Sequence, residues 1–137
     1  MSGISELIRN EEDGTISFGD YTLADKSKLS DFKHDGDLYK VKTYREITKL
    51  ERNGLFVYES VPGTAVSHLM ISADAVSFAV EGSEDAQITL ELEPETEYNV
   101  SVNDVEAGTM KTNLGGKLNI SVALDTNNVI PVTVKRI

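Results

Sequence analysis

Cysteine is absent from the chain, which excludes disulfides, thiol catalysis and cysteine metal sites together. Tryptophan is absent too, so sugar stacking would fall to tyrosine and phenylalanine. No apolar run exceeds four residues, far short of the roughly 20 a membrane-spanning helix needs. Met1 to Asn10 lacks the basic stretch and apolar core of a secretory signal. The expectation is a cytoplasmic protein if the chain is complete, and an extracellular one if it is an excised domain. Positive charge is missing over a long stretch: from Asn53 to Met110 there is no lysine or arginine against eleven acids. Between Lys26 and Arg52, by contrast, stand eight basic and five acidic side chains. The net charge of −10 argues against nucleic acid as a partner, because phosphate recognition requires a basic face. The uneven distribution leaves two readings open. One is a solvated acidic surface; the other is a two-signed molecule that docks head to tail or meets cations on its acidic face.

What is present is β pattern. Tyr39, Val41 and Thr43 alternate with Lys40 and Lys42, which predicts a half-buried strand with its lysines in water. Ile88, Leu90 and Leu92, then Tyr98, Val100 and Val102, then Leu118, Ile120, Val122 and Leu124 repeat the alternation. Val76, Phe78 and Val80 do so as well, and Ile130, Val132 and Val134 close the chain beside Pro131, a residue of strand edges or strand starts. Thr15 to Leu23 reads as a strand interrupted at Gly19, and the polar stretch from Ala24 to Asp37 as a surface loop. Tyr44, Ile47 and Leu50 fit either a helical stripe or a hairpin turning at Asn53-Gly54, with the hairpin favoured. In that hairpin Leu50 should face Val57, and Arg52 should face Leu55. Ile4, Leu7 and Ile8 lie at helical spacing and predict a short N-terminal helix. Regular strands with Gly, Pro and Asn punctuation point to one all-β sandwich over residues 1–137, immunoglobulin-like or jelly-roll-like. Pro62-Gly63 is the only reasonable internal boundary.

The stretch Leu92-Glu93-Pro94-Glu95-Thr96-Glu97-Tyr98-Asn99-Val100-Ser101-Val102 resembles the L-x-P-x-T-x-Y-x-V-x-V segment of fibronectin type III and related immunoglobulin-like sandwiches. That resemblance implies a tyrosine corner, in which the Tyr98 ring fills the sandwich end and its hydroxyl bonds a backbone group. A fibronectin module would have one strand left after the tyrosine. This chain has three more, near Ala107–Thr112, Lys117–Leu124 and Val129–Lys135. The longer tail looks more like the small sandwich domains appended to bacterial polysaccharide-degrading enzymes, a likeness over residues 88–137 that carries no functional residue with it.

Catalytic motifs are not expected. Ser67 and His68 are adjacent on a strand and so point to opposite faces, which spoils a triad with Asp74. His34, Asp35 and Asp37 around Gly36 read as a turn, since the ligand pattern of a calcium loop is missing. Glu91 and Glu93 alternate with core leucines and point to water, and with Glu95 and Glu97 they make a solvated edge. Gly115-Gly116-Lys117 lacks the spacing of a phosphate loop. Tyr44, Phe56 and Tyr58 are the candidate binding residues. Phe56 and Tyr58 are expected on one face of a strand whose other face carries Leu55 and Val57, so that something must cover the second face. No metal, cofactor or membrane is implied. The functional expectation is a non-enzymatic binding or assembly module, self-associating or docked on a host protein; the alternative is a carbohydrate-binding accessory domain with a polysaccharide as partner.

Overall fold

The computed structural model describes residues 3–137, and among these the secondary structure is all strand and turn. The strands are β1 (Ile8–Asn10), β2 (Ile16–Phe18), β3 (Ser27–His34), β4 (Asp37–Tyr44), β5 (Ile47–Arg52), β6 (Leu55–Val61) and β7 (Ala65–Ile71). They continue with β8 (Ala75–Glu81), β9 (Ala86–Glu91), β10 (Glu97–Val102), β11 (Val105–Lys111), β12 (Lys117–Val122) and β13 (Ile130–Arg136). All pairings are antiparallel. One sheet runs β1-β2-β7-β8-β13-β10-β11, and the other runs β12-β9-β6-β5-β4-β3. Inward side chains of both sheets form one apolar cluster, including Phe18, Leu50, Tyr58, Phe78, Ile88, Val100, Ile120 and Val134. Residues from both sides of Pro62-Gly63 contribute to it. No helix among the described residues is long and apolar enough to cross a membrane.

Local chemistry explains the hairpins. Asp35-Gly36, Asn53-Gly54 and Asn103-Asp104 each place both central residues at positive φ, as a type I′ turn demands. The Asn53-Gly54 turn settles the segment before it as strand β5 rather than helix, with Arg52 opposite Leu55 as expected. Leu50, however, faces Tyr58 and not Val57, because a bulge between Leu50 and Glu51 adds a residue on β6. Pro131 is the second residue of β13, a central strand, so the reading as a strand start is the one that applies.

Two of the expected elements differ in kind. The N-terminal helix is not seen: Ile8 opens β1, and Leu7 turns back on Ile4 with φ at 70°. Three apolar residues are too few to hold an isolated helix, whereas pairing with β2 buries Ile8, and Ile4 is buried against Tyr21 and Ala65. The stretch read as a loop contains strand β3, an edge strand whose lysines and serines keep it polar. Its composition is that of a loop; only its ladder to β4 makes it a strand.

Behind the six-stranded sheet lies a buried hydroxyl network. Thr43 Oγ1 accepts the Asp20 N–H at 2.9 Å and lies 2.8 Å from Thr48 Oγ1. Thr48 Oγ1 donates to the Thr64 carbonyl at 2.8 Å and accepts the Thr64 N–H at 3.0 Å. With its own proton committed to that carbonyl, Thr48 must accept from Thr43. Thr64 Oγ1 in turn meets both Tyr58 Oη and Ser60 Oγ at 2.8 Å. Such a network ties three strands and the β6–β7 connection together without orphaned groups.

Candidate functional site

The ladder register places one row of side chains across the outer face of the six-stranded sheet. Lys28 on β3 is opposite Lys42 on β4, Lys42 is opposite Lys49 on β5, and Lys49 is opposite Glu59 on β6. The row continues through Thr89 on β9 to Asn119 on β12, joined by a 2.6 Å hydrogen bond. Three adjacent strands thus present three lysines in register. Lys40 on β4 and Lys26, just before β3, extend the patch on either side. Lys49 reaches Glu51 at 3.6 Å, but among the described residues no carboxylate lies within ion-pair distance of Lys26, Lys28, Lys40 or Lys42. The Lys42 ammonium gives up its proton more readily than an ordinary lysine, first through partial burial and then through repulsion from Lys26, Lys49 and Lys28; Glu59 opposes this.

Aromatic rings border the patch. Tyr44 is half-buried beneath Lys26, whose Nζ is 5.7 Å from the ring centroid. Half-buried Phe56 lies beneath two ammonium groups, Lys117 at 4.1 Å and Lys49 at 5.9 Å. Lys117 is held in turn by Glu91 at 2.6 Å. The third expected binding residue is elsewhere: Tyr58 is fully buried, edge-on to Phe18 and Phe78 at 5.2 and 5.7 Å. The β6 bulge is the reason. It packs Val57 and Tyr58 towards the core and sends Phe56 outward, so Phe56 and Tyr58 do not share a face. Two lysine ammonium groups of the same chain lie over Phe56, and the apolar pattern of β6 no longer requires a second chain to explain it.

A cleft of about 630 Å³ opens at the adjoining end of the sandwich, between the Asn53-Gly54 turn and Tyr98. Arg52, Leu55, Phe56, Ile71, Leu92 and Glu93 line it, so Phe56 borders both cleft and outer face. Tyr98 closes its floor: the ring is buried and the hydroxyl accepts the Glu93 N–H at 3.2 Å. Gly116 seals the neighbouring turn, where a Cβ would fall 2.2 Å from the Leu92 carbonyl.

At the β1–β2 end of the molecule, His68, Asp13 and Glu11 tie the turn to its neighbours. His68 Nδ1 meets Asp13 Oδ2 at 3.0 Å and Thr15 Oγ1 at 3.2 Å, which places it on the β1–β2 turn, and the Asp13 carboxyl is held below its usual range first by the Thr15 hydroxyl. Glu11 is lowered in the same way, chiefly by the Ser17 hydroxyl. Among the described residues no three of His, Asp and Glu gather to hold a metal ion. The lysine row was legible only in part: alternation in β4 exposes Lys40 and Lys42, but Lys28 sits in a stretch that reads as loop. No protein-family model, curated protein or solved structure matches the chain.

Proposed function

We propose that this chain is a non-enzymatic binding module that works through the outer face of its six-stranded sheet. One observation carries the reading: Lys28, Lys42 and Lys49 stand in register on adjacent strands of a chain whose net charge is −10. Like charges directly opposite one another destabilise a sheet. Carboxylates are in excess, and Glu51 and Glu59 stand beside Lys49, yet among the described residues none forms an ion pair with Lys28 or Lys42. A patch kept cationic against its own stability suits an anionic ligand, whose binding would relieve the repulsion. The Tyr98 corner supports an immunoglobulin-like kinship for the scaffold.

Retention on a sulfonate cation-exchange matrix tests the face directly. At pH 7 and below about 50 mM salt, where screening is weak, the wild-type chain should be retained despite its net charge. The Lys28→Glu/Lys42→Glu variant should flow through while keeping its circular dichroism spectrum. Wild-type protein in the flow-through would defeat the proposal.

A further inference from the structure

We infer that the ligand of this face is an acidic polysaccharide, a chain of sugars carrying carboxylates at intervals. The inference rests on the binding-face reading and narrows it.

The row that begins with three lysines does not stay basic. It passes through Glu59, Thr89 and Asn119, and beside it Gln87 donates to Ser121 at 2.7 Å. One half of the face therefore attracts anions, and the other offers hydrogen-bond donors and acceptors of the kind that hydroxyl groups use. At about 4.8 Å between strands, the lysines span roughly 10 Å and the whole row roughly 24 Å, room for several sugars laid across the sheet. Tyr44 and Phe56 flank the row, each with a lysine over its ring. Moving those ammonium groups onto ligand carboxylates would free the rings for the apolar faces of sugars.

Other anionic partners fit less well. Protein interfaces deplete charged residues at their core, and here three lysines in register fill half of the row. A single-stranded nucleic acid tracks a continuous basic groove, whereas basic side chains occupy only the first half of this row and Glu59, Thr89 and Asn119 the second.

Equilibrium binding of the purified chain to four probes tests the inference. These are polygalacturonate with a chelator present, neutral dextran, poly-glutamate and a single-stranded DNA oligonucleotide. Polygalacturonate should bind at least about tenfold more tightly than the other three, and Lys42→Thr should weaken it by about tenfold. Phe56→Ala should weaken it severalfold, with both variants folded by circular dichroism. Preference for poly-glutamate or DNA, still sensitive to Lys42→Thr, would overturn the polysaccharide and leave the binding face standing. Polygalacturonate binding that is indifferent to both Lys42→Thr and Lys28→Thr, or no binding to any probe, would overturn both.

Discussion

Lys42 stands directly across the β4–β5 ladder from Lys49, and its neighbour on the other side is Lys28. Cross-strand pairs contribute roughly 0.2–1 kcal/mol, with like charges on the unfavourable side. Placing a carboxylate between the two lysines reverses both contacts. Lys42→Glu should therefore raise stability by about 0.5–1 kcal/mol in urea unfolding, with the gain shrinking in 1 M salt. A destabilised Lys42→Glu would show that the row is not under electrostatic strain.

The same row has a pH signature. Lys42 in the folded chain is lowered below its ordinary 10.5, so the native state sheds this proton before the unfolded state does. Between the two values the unfolded chain binds more protons, and Lys42's contribution to stability rises with pH. The stability gap between wild type and Lys42→Thr should narrow as pH climbs through that window towards 10.5. Paired urea titrations of the two proteins at increasing pH measure it.

Tyr58 has the opposite sign. Burial raises its phenol well above the ordinary 10.0, so the folded state favours neutral tyrosine. That contribution is complete below pH 10 and is lost as pH rises beyond it. Wild-type stability should fall more steeply above pH 10 than that of Tyr58→Phe. At neutral pH Tyr58→Phe should cost about 1 kcal/mol or less, because Ser60 still partners the Thr64 hydroxyl.

Tyr98 joins the cleft floor to the backbone of Glu93. Removing its hydroxyl in Tyr98→Phe should cost about 1 kcal/mol, and Tyr98→Ala about 3 to 5 through the cavity left in the core. Equal costs for the two variants, read from chemical unfolding, would mean that the ring does not carry the packing.

Two glycines separate conformation from contact. Gly54 and Gly116 both have φ at +80°, but nothing lies within 4 Å of a Cβ on Gly54, while one on Gly116 would strike the Leu92 carbonyl. Gly54→Ala should cost about 1–2 kcal/mol from the left-handed backbone alone. Gly116→Ala should cost clearly more, measured as the difference in unfolding midpoint between the two variants.

The period-two alternation of β9, β10, β12 and β13 fixes their inward faces by local stereochemistry, and Asn53-Gly54 sets its hairpin because those residues accept positive φ. Class and several core faces were therefore determined by the sequence itself. Tertiary structure decided what depends on distant partners. Ile8 is a strand residue because β2 is there to pair with it, and β3 exists because β4 supplies a ladder to a stretch too polar to declare itself. The β6 bulge turned Tyr58 inward and Phe56 outward, reversing a face that alternation alone would assign. Bringing Lys28, Lys42 and Lys49 into one row required the register of two successive hairpins, and the row's polar half required β9 and β12 to join the sheet from far along the chain. Register and neighbour choice are set by packing between segments, which no local pattern encodes.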